Sequence, residues 1–239
     1  MQKSKLDKFI QKYNLGGNVN QVKWVSKDNK LSTSFVTPDK SLMGSVNVDN
    51  FTFEDVELGV YTTDQLMKLL NVLDDDVKLK VTKFGDRSVS LKAENGSVSF
   101  DYTLSDLSII PDTPSLKRLP TFGTTIKIDT KFINTFIKGK TALSETETFT
   151  VINSGGNVEI VIGYSSTNTN RVTIPVETET NDLSEPVSFN ANLFKDVLVA
   201  NKECSSATLE VSNEGLARIN FKVDDYDSTY HIVATQGVD

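Results

Sequence analysis

An α+β fold built from two similar domains follows from three observations in this sequence. Helical and strand periodicities alternate along it, one series of elements occurs twice, and a proline-marked stretch lies between the copies. Residues 65–104 carry a short amphipathic helix and then three alternating strands, and residues 192–233 carry the same series. Leu66-Met67-Lys68 answers to Leu193-Phe194-Lys195, and Leu70 to Val197, at an offset of 127. Leu79 and Val81 then match Leu209 and Val211 at an offset of 130, and Val89, Leu91 and Ala93 match Ile219, Phe221 and Val223. Phe100 and Tyr102 close the repeat against Tyr230 and Ile232. A unit of this size can bury its own core, so the repeat predicts two domains of about 115 residues rather than a solenoid.

Each element has its own signal. Leu6, Phe9, Ile10 and Tyr13 recur at helical spacing, with Lys5, Lys8 and Lys12 on another side and Gly16-Gly17 as a stop. Alternation predicts strands over Val22–Val25, Leu31–Val36, Leu42–Val48 and Val56–Val60. A second helix over 63–73 buries Leu66, Leu69, Leu70 and Leu73 and projects Lys68 the other way. The meander 77–104 turns at Gly85-Asp86 and at Asn95-Gly96, a strong hairpin signal. Three of the six prolines fall in 105–123, which reads as an extended connector. The second domain opens with a strand at Thr125–Ile128 and a helix from Thr130 to about Lys138, buried through Phe132, Ile133, Phe136 and Ile137. Strands near 147–152, 157–163 and 171–176 precede a helix over 190–202, and strands over 207–212, 216–223 and 228–234 end the series. The domains are therefore expected at 1–106 and 123–239, with the connector at 107–122, each domain packing two helices on largely antiparallel sheet.

Composition narrows the function. Hydrophobic content of 38% and charged content of 24% suit a folded chain, and no run approaches the ~18 apolar residues of a membrane span. The N-terminus lacks the apolar core of a secretory signal, and the single cysteine, Cys204, fits a reducing cytoplasm. The net charge of −7 is unevenly spread. The helical segments 3–16, 62–73, 129–143 and 190–204 hold ten lysines against five acids, leaving a net of −12 on the rest. Cationic helices in an anionic chain can attract phosphate on one surface and repel it elsewhere. Lysine is also common on any exposed helix face, so charge alone leaves both readings open.

Catalytic signatures are missing. His231 is the sole histidine, which leaves no structural zinc site. Gly139-Lys140-Thr141 imitates the end of a phosphate-binding loop, but Asn134 stands where the first glycine belongs, and the run follows a helix instead of opening one. Asp74-Asp75-Asp76 and Asp224-Asp225-Tyr226-Asp227 lack calcium-loop spacing and suit turns. The chain reads as a non-enzyme without cofactor or metal. A carboxylate-dependent nuclease built on those aspartates is the enzymatic alternative.

With two α+β domains, lysine on every helix, an acidic remainder and a proline-marked connector, the chain resembles the sliding-clamp family. The likeness is to clamps of tailed bacteriophages, with proliferating cell nuclear antigen (PCNA) a more distant relative. Phe100-Asp101-Tyr102-Thr103-Leu104, entering the connector, and residues 189–234 are its most clamp-like stretches. The resemblance covers nearly the whole chain and is one of pattern and length. It implies two DNA-clamp domains that assemble head-to-tail as a homotrimeric ring around double-stranded DNA, without sequence preference. The ring would tether a replicative DNA polymerase, be placed by a clamp loader, and work in the cytoplasm of the infected host cell, with no membrane. Carried over, Lys5, Lys8, Lys12, Lys68, Lys131, Lys138, Lys195 and Lys202 would face the DNA. Leu107, Ile109, Ile110, Leu116, Ile232 and Ala234 would line the groove that receives partner peptides, although packing of the connector on its own domain explains each of them as well. The first domain departs from the pattern in lacking a strand before its first helix. The rival reading is a viral tail or baseplate protein of duplicated β-rich domains.

Overall fold

The computed structural model describes residues 2–167 and 169–235. The chain divides into two units. The first comprises Met1–Pro38, Gly44–Pro114 and Asp225–Asp227; the second comprises Asp39–Met43, Ser115–Asp224 and Ser228–Asp239. The expected connector is thus shared, its residues up to Pro114 going with the first unit and those from Ser115 with the second.

In the first unit, α1 (Lys3–Asn14) buries Leu6, Phe9, Ile10 and Tyr13. It ends where Leu15 turns left-handed (φ 49°), one residue before the anticipated glycine pair. Strands β1 (Val22–Lys27), β2 (Lys30–Val36), β3 (Leu42–Val48) and β4 (Val56–Val60) lie in the order β3-β2-β1-β4. Helix α2 (Thr63–Leu70) stops three residues short of the expected Leu73. The hairpin meander β5 (Lys78–Phe84), β6 (Arg87–Asn95) and β7 (Val98–Thr103) follows. Aromatic packing fixes the core. Phe9 meets Tyr13 and Trp24 edge-on at 5.6 Å, Trp24 Nε1 donates to Tyr13 Oη (3.2 Å), and that hydroxyl lies 3.2 Å from Thr63 Oγ1 on α2.

The second unit begins with β8 (Thr124–Asp129), whose last residue caps α3 (Thr130–Ala142) by accepting from Phe132 N–H at 2.6 Å. Helix α3 continues four residues past the expected Lys138. Lys140 stabilises the extra turn: its buried ammonium donates to the carbonyls of Ser144 (2.7 Å) and Leu143 (3.4 Å). Gly139-Lys140-Thr141 is therefore helix interior, with no phosphate loop. Strands β9 (Thr148–Ser154), β10 (Asn157–Ile162), β11 (Val172–Pro175), β12 (Thr178–Thr180) and β13 (Val187–Asn190) precede α4 (Ala191–Ala200), and β14 (Ser206–Ser212), β15 (Leu216–Val223) and β16 (Tyr226–Val233) follow it. Sequence periodicity missed β12 and β13. The core is a phenylalanine cluster, with Phe194 4.8 Å from Phe136 and 4.6 Å from Phe149.

The duplication extends further than the sequence reveals. The order β11-β10-β9-β13 reproduces β3-β2-β1-β4, because in each the first strand after the helix pairs antiparallel with the last strand before the next helix. The meander β14-β15-β16 reproduces β5-β6-β7. Each meander then sends its chain back onto that last strand: Ser105 N–H donates to Gly59 C=O (2.9 Å), and Thr235 N–H donates to Ser188 C=O (2.9 Å). Gly59 permits this approach, since a Cβ there would collide with the Ser105 carbonyl oxygen. The first strands of the two meanders differ in their neighbours. Strand β8 pairs with β14, whereas among the described residues β5 has β6 as its only strand neighbour.

Candidate nucleic-acid interface and connector

The lysines of the first unit have unequal surroundings. Lys8 on α1 and Lys68 on α2 are exposed. Lys5 is half-buried, its ammonium donating to Asp225 Oδ2 (2.7 Å) and to the Asn50 carbonyl (3.0 Å). That bond, with a second from the Asn50 amide, holds the Asp225 carboxyl below the usual carboxylate range. Lys12 departs from the expected role: it is 0% exposed, with Nζ 5.3 Å from the centre of the Tyr226 ring. On a helical wheel Lys5 and Lys12 stand within about 60° of the buried Phe9, and Lys8 about 100° away. The segment Asp225–Tyr226 covers the nearer side, and Tyr226 Oη also donates to the Lys5 carbonyl (2.8 Å).

In the second unit Lys131 and Lys138 are exposed on α3. Lys195 is half-buried on α4, with Asp196 3.8 Å from its ammonium. Lys202 is exposed but lies in the turn after α4, so the expected helix boundary at 202 placed it on an element to which it does not belong. Each unit therefore turns exposed lysines outward from its helices: Lys8 and Lys68 from one, Lys131 and Lys138 from the other.

The upstream connector is built into the first unit. Asp106 accepts from Ser108 N–H (2.9 Å) to start a single 3₁₀ turn over Leu107–Ile109, and Arg87 pairs with Asp106 at 2.7 Å. Lys23 pairs with Asp112 at 2.5 Å. Ile110 is buried, so it is a core residue of this unit and no groove surface. Ile109 is 57% exposed and Leu107 is half-buried.

In the second unit Leu116 is 42% exposed and Ala234 half-buried, with Ala234 N–H donating to Gly215 C=O (2.8 Å). Ile232 is 0% exposed and also drops out as a surface contact. It shares the inward face of β16 with Tyr226, Ser228 and Tyr230, which its period-two spacing already implied. Sequence reading passed over Lys117, Arg118 and Leu119, all exposed, and the Phe122 ring stacked at 4.5 Å on Arg218. Arg218 is in turn held by both oxygens of Glu210 at 2.6 and 2.7 Å.

The acidic turns have other partners. Asp75 accepts from Ser4 N–H (3.1 Å) and Asp225 from Lys5, and among the described residues no group of His, Cys, Asp or Glu is placed to hold a metal. His231 is half-buried; burial, and secondly the charge of Arg218, push its pKa below the ordinary 6.5. It is neutral at pH 7.

A helix, a four-stranded sheet, a second helix and a meander, occurring twice, define the class of protein to which the architecture belongs: this is the PCNA-like α+β fold. Three solved structures with that fold match along the length of the chain. One is PCNA of A. fulgidus with the C-terminal region of FEN-1 bound, at a TM-score of 0.79 and 15% identity over 100% of this chain and 98% of that one. PCNA of Entamoeba histolytica gives 0.76 and 15% over 99% and 97%. The PCNA2–PCNA3 complex of Sulfolobus tokodaii gives 0.73 and 11% over 98% and 97%. No family model matches the sequence, and no curated protein does. The fold is shared at 11–15% identity.

Proposed function

We propose that this chain is a sliding clamp, a non-enzymatic ring that encircles duplex DNA and keeps a DNA polymerase on its template. The observation that carries this reading is the PCNA-like fold along the whole chain, with exposed lysines on helices of both units. Lysine–phosphate contacts carry no sequence information and weaken with salt, as a ring that slides requires.

Sheet edges support assembly into a homotrimer. Strand β5 guards its edge with Lys78, Lys80 and Lys83, and β4 and β13 are capped by Ser105 and Thr235. Strand β7 carries one charge, Asp101, and β11 carries none, so these two edges are open to pairing. They belong to different units, so β7 of one subunit joining β11 of the next makes a heterologous contact that repeats and can close. Beside β11 a cavity of about 510 Å³ lies between α3 and the strand, with Phe132, Ile174 and Pro175 among its lining.

Binding of a FEN-1 segment by the A. fulgidus protein supports a scaffold role toward partner proteins. The polymerase and the clamp loader are the partners proposed here. Phage origin and action in the cytoplasm of an infected cell rest on the resemblance to phage clamps.

Mass in solution and polymerase run length test the reading together. A trimer, or a monomer–trimer equilibrium, that lengthens synthesis is expected. The triple variant Lys8→Glu, Lys131→Glu, Lys138→Glu should keep its mass and lose the stimulation. A stable monomer or an open filament without effect on run length rejects the clamp, the filament favouring a tail component.

A further inference from the structure

We propose that the free edge of β5 receives an acidic strand from a partner chain, added antiparallel to the β5-β6-β7 sheet. This edge lies within the first unit and is open whether the chain joins copies of itself through β7 and β11 or stays single.

In the second unit the equivalent edge is filled. Strand β8 pairs antiparallel along β14, with Ile126 opposite Leu209 and Thr124 opposite Val211, and both of those β14 residues are 1% exposed. In the first unit no strand lies beyond β5 among the described residues, and the matching side chains are less covered. Leu79 is half-buried and Val81 is 8% exposed. The helix starts mark the place. Asp129, the last residue of β8, lies opposite Ser206 at the start of β14 and caps α3. At α1 the carboxylate comes instead from Asp75, in the turn before β5, which accepts from Ser4 N–H (3.1 Å). The head of α1 thus stands beside the start of β5, as that of α3 stands beside β14, and the edge that β8 covers in one unit is open in the other.

Charge selects the occupant. Lys78 and Lys80 are exposed, and neither forms an ion pair with the described residues. Lys80 lies directly opposite Lys92 of β6, and like charges facing each other across a ladder are unfavourable. A strand beside β5 with carboxylates on that face relieves the repulsion, while apolar residues at its alternate positions cover Leu79 and Val81. The lysines therefore sort what pairs here. They repel a second copy of β5 and resist an uncharged strand, but favour an acidic one. A phosphate backbone would use the same cations and leave Leu79, and Phe84 at the end of β5 (82% exposed), in water.

Fluorescence anisotropy with the full chain tests the proposal. The probes are a labelled peptide of alternating valine and glutamate, the same peptide with lysine for glutamate, and a labelled single-stranded oligonucleotide. At low salt the glutamate peptide should bind roughly tenfold more tightly than the lysine peptide, about 1.4 kcal/mol, and the gap should narrow as salt is raised. The double variant Lys78→Glu, Lys80→Glu should reverse the order. Backbone pairing is read on the unaltered chain with two N-methylated glutamate peptides, one blocked at the valine nitrogens and one at the glutamate nitrogens. Only alternate N–H groups of an added strand face the ladder, so one of these peptides should keep its binding and the other lose it. Equal binding of the glutamate and lysine peptides, no binding of either, a preference that survives charge reversal, or equal effects of the two methylations overturns the proposal. So does an oligonucleotide that binds as well as the glutamate peptide and loses as much on charge reversal. The mass of the chain in solution, which decides the clamp reading, has no bearing on these outcomes.

Discussion

Lys8 and Lys12 stand one turn apart on α1 and meet opposite surroundings. Lys8 is in water, while the cation of Lys12 is enclosed beside Tyr226. Reversing each charge should therefore give unequal losses. Lys8→Glu is expected to change unfolding free energy by no more than about 0.5 kcal/mol, as for other exposed positions. Lys12→Glu buries a carboxylate against groups arranged for a cation and should cost about 3 kcal/mol or more. Urea unfolding of the two variants measures the gap, and equal losses would place Lys12 at the surface. The sequence showed which side of α1 is apolar, and so the exposure of Lys8. It held no local sign that Tyr226, more than two hundred residues later, would cover Lys12. Ile232 is a different case: its two-residue spacing from Tyr230 was visible and already marked it as core.

The elements α3 and α4 owe their position to the phenylalanines between them and β9. Phe136 on α3 touches Phe149 at 5.4 Å and Phe194 at 4.8 Å, and Phe149 also packs on Phe189 of β13 at 5.6 Å. Truncating Phe136 to alanine leaves a hole that the three remaining rings cannot close, at an expected cost of about 3–5 kcal/mol. Val199, exposed on α4, serves as the control, and its change to alanine should cost under about 0.5 kcal/mol. Thermal or urea unfolding compares them. Strands β1 to β4 were legible because apolar and polar residues alternate through each. Strand β12 was not, since Thr178-Glu179-Thr180 has no apolar residue to alternate. Strand β13 runs directly into Asn190, the cap of α4, so its four residues merge with the helix signal.

At the scale of the whole molecule, the repeat was readable only where its residues correspond, from α2 through β7 and from α4 through β16. The equivalence of β1–β4 with β9–β13 rests on pairing order, which leaves no mark in residue identity. The same comparison singles out β5. In the second unit β8 covers the equivalent edge, and in the first three lysines stand guard instead. With that guard β5 is withheld from pairing among copies, and a subunit that joins its neighbours only through β7 and β11, as proposed, has valency two and can form only closed circles or unbranched chains. Exchanging Lys78 and Lys80 for valine would create a third sticky end. Light scattering should then show branched, polydisperse networks in place of a defined particle, and an unchanged particle size would mean that the ammonium groups of β5 play no part in limiting growth. Three side chains that touch no ligand would in that way set the difference between a countable assembly and a gel.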